Sequence, residues 1–379
     1  MWAALVGGVH PVNGMSDRAA SDAVNWLLRA QSATADDGFS LGYFPSDVVS
    51  GWMPSYPETT GYIIPSLLHY AEVTRSDDVR RRALAAARWE CHVQMSNGAV
   101  QGGPVCDPPN QCAAVFNTGM VLQGWSAAWR TSREACFLES AVKAACFLVQ
   151  DLDDEGHLRT HGPFVAPARL KTYNVLCAWG LLQTGRDAGE PTFELAAVRM
   201  AQAALTQQLP NGWFENNDLV DPTRALTHTI GYTLQGLLEV GALTGREDFI
   251  AAARKGIGAV VPHIATNGFL AGRFDRHWMP AVRSACLTGS AQLAIVMYRL
   301  DQLGGTQQLR THADRLVNFL KALQRHDSAD PNINGGIGGS FPLLGEYMTA
   351  GYPNWATKYF LDAVLLQRSA HAGPAKVRV

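Results

Sequence analysis

The stretch WLLRAQSATADDGF, residues 26–39, has four further copies along the chain. They are ARWECHVQMSNGAV at 87–100, ACFLVQDLDDEGHL at 145–158, AALTQQLPNGWF at 203–214 and AVVPHIATNGFL at 259–270. Four of the five copies end a helical stretch near a Gln, and every copy continues into a polar turn with Gly and an apolar residue. The turn glycines at 38, 98, 156, 212 and 268 are separated by 60, 58, 56 and 56 residues, and a sixth copy ends near residue 335. This period accommodates two helices and two connections, so it predicts a repeat architecture.

A second helical stretch follows each turn and is apolar on nearly all sides, which is typical of a buried helix. The six stretches are YPETTGYIIPSLLHYA, FNTGMVLQGWSAAW, TYNVLCAWGLLQTG, THTIGYTLQGLLEVG, CLTGSAQLAIVMYRL and NWATKYFLDAVLLQ. The segments between them, such as SDDVRRRALAAARW, are charged on one face only. Buried and amphipathic helices in alternation, with short connections, predict an all-α fold, an (α/α)6 toroid of six helical hairpins. We expect the repeats to span residues 20–368 within one domain, 1–368, and a frayed tail at 369–379.

The bulk composition excludes several classes of partner. The 379 residues are 17% charged with a formal net charge of −2, so no strong field attracts nucleic acid or an anionic membrane. The apolar runs are shorter than the roughly 18 residues of a membrane span, and the N-terminus lacks a basic signal region. The seven scattered cysteines do not form the even-numbered framework of a disulfide-rich protein. These features predict a cytoplasmic protein with reduced thiols.

The repeat pattern resembles that of the α/α-toroid superfamily. This superfamily contains six-hairpin glycosidases, related lyases and uronyl epimerases, terpenoid cyclases and lanthionine synthetase cyclases. The resemblance covers nearly the whole chain. It implies the fold more strongly than the reaction, because one fold hosts many chemistries.

The predicted toroid has two unlike ends. Connections from an outer to an inner helix are long and rich in Gly, Trp, His and Arg, whereas the return connections are short. Functional residues concentrate on long loops. The same end collects six inner-helix N-termini, which carry partial positive charge. We therefore expect a pocket at this end that favours anionic or oxygen-rich ligands.

Five residues near this end are candidates for catalysis: Glu58, Tyr173, Glu215, His228 and Asp275. Glu58 lies in GWMPSYPETTGY, where flanking aromatic residues would raise its pKa and suit a general acid. Stabilisation of a helix N-terminus is the alternative role for this carboxylate. His228 in LTHTIGY is a candidate base, with a purely structural histidine as the alternative.

The candidate substrate-binding residues are aromatic, amide-bearing or cationic. They are Trp52, Tyr56, Asn117, Arg159, Lys171, Asn174, Trp213, Tyr232, Arg273, Trp278, Trp355 and Lys358. Aromatic rings stack on sugar faces, and Arg or Lys binds carboxylates. The cationic third and fifth long loops therefore predict a substrate with an acidic sugar. Helix capping and a solvated loop are the alternatives.

Two motifs point to other chemistry. The segment QDLDDEG, residues 150–156, contains a D-x-D-D pattern that resembles the protonating motif of class II terpene cyclases, but it occupies an ordinary repeat turn. Cys91, His92 and the pair Cys106 and Cys112 resemble the zinc ligands of lanthionine cyclases. Cys91 and His92 fall on an outer helix, far from the predicted pocket. We therefore expect no metal and no other cofactor.

Several functions remain open. The first is a glycoside hydrolase acting on an oligo- or polysaccharide, with Glu58 as acid and Glu215, Asp275 or Glu346 as base. Such a pair lies about 5.5 Å apart in retaining and up to about 9.5 Å apart in inverting enzymes.

The second is a uronate lyase or C5-epimerase. In that reaction Tyr173, Tyr232 or His228 would abstract the proton beside a carboxylate neutralised by Arg273 or Lys171. A terpenoid-cyclase-like enzyme and a non-catalytic toroid that binds a glycan or protein are the further alternatives.

Overall fold

The computed structural model describes residues 16–45, 50–107, 110–163, 170–304 and 307–372, and the α-helices in these ranges form two concentric rings. In chain order they are α1 (Ser16–Ser32), α2 (Pro57–Thr74), α3 (Asp77–Val93), α4 (Val115–Ser132), α5 (Ala135–Asp151), α6 (Val175–Ala188), α7 (Pro191–Thr206), α8 (Thr227–Thr244), α9 (Glu247–Val260), α10 (Leu287–Gln302), α11 (Gln307–Leu323) and α12 (Asn354–His371). The even-numbered helices form the inner ring and the odd-numbered helices the outer ring. The all-α class and the alternation predicted from the sequence are confirmed.

Each inner helix packs against the next, and α12 packs against α2, so the inner ring is closed. Short connections join α2 to α3, α4 to α5, α6 to α7, α8 to α9 and α10 to α11, which gives five hairpins. The sixth hairpin has no covalent connection, because it consists of α12 and α1, the last and first helices described. Helix α12 extends three residues into the predicted tail, where the His371 ring lies 3.0 Å from Asp314. Residues 1–15 and 373–379 lie outside the described residues.

The core lies between and within the two rings. Every residue of α8 from Thr227 to Gly241 is buried, as expected for a helix surrounded by neighbours. None of the helices described combines the length and the hydropathy of a membrane span.

Short strands link the long connections at one end of the ring. In the described ranges they are β1 (Gly42–Pro45), β2 (Ser50–Trp52), β3 (Ala225–Leu226), β4 (Arg273–Phe274), β5 (Ala285–Cys286), β6 (Ser340–Phe341) and β7 (Tyr352–Pro353). Strand β1 pairs antiparallel with β2 and β7, β3 pairs with β4, and β5 pairs with β6. The β1–β7 pair joins the first long connection to the last, so this end of the ring is also closed.

In four of the described turns, the repeated Gln bonds to the next outer helix. Gln94 donates its amide to the carbonyl of Gly98 in its own turn and to that of Ser140 on α5, both at 2.9 Å. Gln324 bonds in the same way to its own turn and, at 3.1 Å, to the carbonyl of Ala19 on α1. The repeated turn motif therefore joins neighbouring repeats through hydrogen bonds.

The repeated Gly allows the turn to approach the next outer helix. Gly268 has a φ of +86°, and a Cβ at this position would overlap the backbone carbonyl of Arg315 on α11. Positive φ values recur at the equivalent glycines, Gly98, Gly156, Gly212 and Gly335. Both the backbone conformation and the close contact therefore require glycine.

Replacement of Gly268 by Ala should lower the free energy of unfolding by at least about 2 kcal/mol, because strain and overlap with α11 act together. Gly258→Ala is the matched control: Gly258 is exposed on α9, with nothing within 4 Å of a Cβ there. The control should raise stability by about 0.5–1 kcal/mol, since glycine weakens a helix interior. Urea unfolding measures both variants. A Gly268→Ala variant as stable as the control would contradict this role of the turn.

Candidate active site

A cavity of about 320 Å³ opens at the end of the ring where the long connections and the inner-helix N-termini meet. This is the end at which the sequence predicts a pocket. Seven residues of its described wall are aromatic, namely Tyr56, Tyr62, Phe116, Tyr173, Tyr232, Tyr347 and Trp355. The polar side chains in the wall are those of Glu58, Asn117, His161 and His228.

Glu58 lies in the first turn of α2, at the cavity. Tyr56 before it is extended, and Pro57 at the first helical position presets the backbone for the helix. The Tyr56 hydroxyl donates to Glu58 Oε2 at 2.8 Å. Burial raises the pKa of Glu58 to about 7, although the Tyr56 hydrogen bond opposes this rise. A carboxyl group with this pKa retains its proton near neutral pH and can donate it.

His228 occupies the first turn of α8, in the same cavity. Its Nδ1 lies 2.6 Å from Oε1 of Gln292 on α10. Burial lowers the pKa of His228 to about 4, and the Gln292 hydrogen bond opposes the decrease. The imidazole is therefore neutral at pH 7. With the Nδ1 proton donated to Gln292, the lone pair of Nε2 is available to accept a proton.

Aromatic rings surround these two groups. The His228 ring lies 4.3 Å from that of Tyr232 and 5.6 Å from that of Tyr347, measured between ring centroids. Phe116 lies 4.9 Å from Tyr232 and 5.2 Å from Tyr173. Burial raises the pKa of Tyr173 and of Tyr232, so both hydroxyls stay protonated. They provide stacking surfaces and hydrogen-bond donors rather than bases.

The cavity brings together seven of the residues predicted for the site. These are Tyr56, Glu58, Asn117, Tyr173, His228, Tyr232 and Trp355. Asn174 is next to Tyr173 but lies behind the wall, with its amide nitrogen 3.5 Å from Nδ1 of His161. All seven are at or near inner-helix N-termini, where the repeat itself indicates their position.

Two of the predicted catalytic carboxylates lie elsewhere. Glu215 is exposed, with its carboxylate 3.8 Å from the Arg276 guanidinium. Asp275 accepts hydrogen bonds at 2.9 Å from the backbone N–H groups of His277 and Met279, so it stabilises its own turn. Neither side chain lines the cavity.

The predicted cationic residues of the loops also lie outside the cavity. The guanidinium of Arg273 is 3.6 Å from Glu346, and Arg159 donates to the carbonyl of Asp151 at 2.8 Å. Glu346, the third candidate base, is half exposed in its ion pairs. Among the described residues of the cavity wall, Glu58 is accordingly the single carboxylate, and none is Lys or Arg.

The two predicted lysines are buried in ion pairs. Lys171 Nζ lies 3.0 Å from Asp218, away from the cavity. Lys358 Nζ lies 2.9 Å from Asp362 and 3.9 Å from the centroid of the Tyr359 ring. Lys358 lines a different cavity of about 170 Å³, which is formed by later turns of the inner helices.

The three remaining predicted tryptophans pack rather than face the cavity. Trp52 lies 5.2 Å from the Trp26 ring and donates to Asn332 Oδ1 at 3.2 Å. Trp213 and Trp278 are buried edge to face, 5.2 Å apart. A loop tryptophan that packs under its loop has the same sequence signature as one that stacks on a sugar.

The acidic side chains of the repeat turn at residues 150–156 accept hydrogen bonds from nearby backbone N–H groups. Asp153 Oδ1 accepts from the N–H groups of Glu155 and His157, at 3.0 Å and 2.8 Å. Potential ligand atoms of these three residues lie within 4.8 Å of one another, but this hydrogen bonding explains the arrangement as a turn. The structure therefore supports the turn over the cyclase motif.

Sequence reasoning missed Tyr62, Phe116, Tyr347 and Gln292. Tyr62 lies one helical turn after Glu58 and so shares its face, a signal that was available. Phe116 precedes Asn117 in the same first turn. Tyr347 lies in a connection outside the repeat, and Gln292 is in the middle of an apolar helix, so neither carries a local signal.

The sequence matches no protein-family profile and no curated protein. Solved structures match across nearly the whole ring. An unsaturated glucuronyl hydrolase specific for heparin has a TM-score of 0.74 at 15% identity, covering 94% of this chain and 98% of that one. The ring is an α/α toroid. The (α/α)6 fold predicted from the sequence is therefore confirmed.

Two further structures give the same result. The unsaturated glucuronyl hydrolase from Bacillus sp. GL1, responsible for degradation of glycosaminoglycan, has a TM-score of 0.72 at 17% identity, covering 94% of this chain and 98% of that one. Cellobiose 2-epimerase from Bacillus thermoamylovorans has a TM-score of 0.71 at 9% identity, covering 94% of this chain and 100% of that one. At such low sequence identities the similarity shows the fold alone. The reaction has to be inferred from the residues of the cavity.

Proposed function

We propose that the protein is a carbohydrate-active hydrolase that acts on an oligosaccharide with an acidic sugar, with Glu58 as general acid and His228 as general base. One observation carries the proposal. The same cavity contains a carboxyl group with a pKa of about 7 and an imidazole with a pKa of about 4. Between these values the acid is protonated and the base is not, as general acid–base catalysis requires.

The wall of the cavity supports a sugar ligand. Aromatic faces stack on the apolar faces of sugar rings, while Asn117 and His161 offer polar groups to hydroxyls. The volume of about 320 Å³ is at the lower end of small-molecule sites, which measure about 300–1,000 Å³. Six inner-helix N-termini point to this end and favour an anionic group without a lysine or arginine in the described wall.

The single carboxylate in the described wall, that of Glu58, distinguishes between classes of glycoside hydrolase. Ordinary glycoside hydrolysis uses two carboxyl groups that flank the scissile bond, and the described wall offers only Glu58. The toroid is shared with unsaturated glucuronyl hydrolases, so we extend the proposal to an unsaturated uronate. Such a sugar has a double bond at the carbon that carries the ring oxygen, which makes it an enol ether.

Hydration of an enol ether needs one acid and one base. Glu58 would protonate the distal carbon of the double bond, and the positive charge would be shared with the ring oxygen. His228 would take a proton from water as that water adds to the carbon bearing the ring oxygen. The resulting hemiketal opens to a ketone and leaves a hemiacetal at the anomeric carbon. That hemiacetal becomes an aldehyde as it expels the attached sugar, so one water is consumed for each bond cleaved.

Disaccharides with a terminal unsaturated uronate test this proposal, with their saturated counterparts as the control. The expected result is loss of the ultraviolet absorbance of the double bond together with new reducing ends, from the unsaturated substrates only. New reducing ends from saturated substrates would favour an ordinary glycosidase. If neither the absorbance nor the number of reducing ends changes with any uronate of a panel, the proposed function is rejected.

An epimerase is the second candidate, because the same acid and base could remove and return a proton on a sugar carbon. The fold is shared with a cellobiose 2-epimerase. His228 is the base in this scheme, since burial raises the pKa of Tyr173 and Tyr232. Deuterium incorporation from deuterated water without new reducing ends would favour this reaction over hydrolysis.

The pH profile of kcat/KM should be bell-shaped. We expect kcat/KM to rise through about pH 4, as His228 loses its proton, and to fall through about pH 7, as Glu58 loses its proton. The maximum therefore lies between these two values. Initial rates in buffers of constant ionic strength measure the profile. A rate that keeps rising above pH 8 would contradict the assignment of Glu58 as acid.

A further inference from the structure

Gln292 is the hydrogen-bond partner of the proposed base, and it belongs to a different helix. His228 is on α8, and Gln292 is fully buried in the middle of the neighbouring inner helix α10. The distance of 2.6 Å between His228 Nδ1 and Gln292 Oε1 is that of a short hydrogen bond. An amide oxygen only accepts, so Nδ1 must carry the proton.

Two glycines make this contact possible. A Cβ at Gly231, one turn after His228, would lie 2.7 Å from Gln292 Cβ and 3.0 Å from its Oε1. A Cβ at Gly289, one turn before Gln292, would lie 2.6 Å from the backbone nitrogen of His228. The distances of 2.7 Å and 2.6 Å are too short for a real side chain, so α8 and α10 approach this closely only because glycine occupies both positions.

The contact with His228 gives the orientation of the amide. In the described structure Gln292 Oε1 faces His228 Nδ1, and the amide nitrogen of Gln292 is buried without a hydrogen-bond partner. The proton on Nδ1 is therefore assigned from the 2.6 Å contact between Nδ1 and Oε1.

We infer that Gln292 is a positioning residue that holds the proton of His228 on Nδ1 and so leaves Nε2 as the base. This inference rests on the proposed function for its catalytic meaning, although the tautomer itself is independent of the reaction. The neutral amide is suited to this task, because it orients the ring without the charge that would favour a protonated imidazole. A carboxylate at the same position would favour the protonated imidazole and so raise the pKa of His228.

Among the described residues, Gln292 is the side chain that hydrogen-bonds to the His228 ring. The titratable groups that face the ring or its backbone are Tyr232, Tyr347, Tyr359 and Cys286. All four have raised pKa values because of burial, so they are neutral near pH 7. Glu58 is the carboxyl group of the same cavity.

The test combines nuclear magnetic resonance of the histidine ring nitrogens with measurement of kcat/KM as a function of pH. His228 is assigned among the 11 histidines by the signals that disappear in His228→Asn. In the wild type we expect a protonated Nδ1 and an unprotonated Nε2 at pH 7. In Gln292→Glu the pKa of His228 should rise by at least about one unit, and the acid limb of kcat/KM should move by the same amount.

Two further variants separate positioning from packing. Gln183→Glu makes the same change at a half-buried site on α6, in the wall of the second cavity, and should leave the His228 titration unchanged. Gln292→Leu removes the acceptor and should lower kcat by about 10-fold or more. Gln292→Glu should recover part of that loss at pH 7, since it restores an acceptor for Nδ1.

The outcomes distinguish the two proposals. An Nε2-protonated ring in the wild type, or an unchanged His228 titration in Gln292→Glu, would overturn the inference. The expected tautomer and titration shift, together with no turnover of any sugar, would support the inference and reject the proposed function. A shift of equal size in Gln183→Glu would show a general effect of charge in the ring and would also overturn it.

Discussion

Glu58→Gln should lower kcat/KM by about 10²–10⁴-fold, which is the usual contribution of a general acid. The Gln side chain keeps the shape of Glu, and its amide oxygen still accepts the hydrogen bond from the Tyr56 hydroxyl. Loss of the proton donor is thus the main change. Glu215→Gln is the matched control, because Glu215 is an exposed carboxylate outside the cavity. It should retain the wild-type rate, and equal losses in both variants would reject Glu58 as the acid.

The same variant should be more stable than the wild type at pH 8. The pKa of Glu58 is about 7 in the folded protein and near 4.5 when the chain is unfolded. Between these values the folded state binds the extra proton, so stability falls as pH rises and the full penalty applies above pH 7. Gln avoids this penalty, which we place at about 1–3 kcal/mol after allowing for solvent contact. Urea unfolding should show the gain at pH 8 and little difference at pH 4.

His228→Asn should lower kcat/KM by a comparable factor of about 10²–10⁴. Asn places an amide N–H near the position of Nδ1 and so keeps a donor for Gln292, but it cannot accept the proton from water. The acid limb of the pH profile near pH 4 should disappear with the imidazole. His69→Asn, at an exposed site in the wall of the second cavity, is the control and should keep its activity. An acid limb that survives in His228→Asn would assign that limb to another group.

The stability effect of His228 has the opposite sign to that of Glu58. Its pKa is about 4 when folded and 6.5 when unfolded, so the unfolded chain binds the proton first and stability falls as pH drops from 6.5 to 4. Between pH 4.5 and 6.5 the two groups oppose each other. We expect their contributions to the pH dependence of stability to cancel largely in the wild type. Each single variant should then reveal the slope of the remaining group.

The fold could be predicted from the sequence because its signals are local and repeated. Gln94 and Gly98, four residues apart, form one turn and fasten it to the next repeat. A requirement that recurs in each hairpin leaves a period in the sequence. The strand pairs between the long connections leave no such period, because β1 and β7 lie far apart in the chain, and they were not predicted.

The site could be predicted only where the repeat places it. Glu58 and His228 are at the first turns of inner helices, so their positions follow from the ring. Residues of the long connections have no such constraint. Asp275 accepts a hydrogen bond from the backbone of its own turn, and Lys171 pairs with Asp218, 47 residues away in the chain. A polar loop side chain pairs with whichever suitable group lies nearest in space.

The hairpin formed by α1 and α12 brings together the first and the last of the helices described. Trp26 and Leu27 of α1 are fully buried in the finished ring, but α12, against which α1 packs, is synthesised more than 300 residues later. The intermediate hairpins can assemble as an open arc, and the apolar side of α1 stays unprotected until α12 arrives. Closure is therefore a late event in biogenesis. The nascent chain is expected to need a chaperone most during that interval, and a chain that stops before α12 should aggregate.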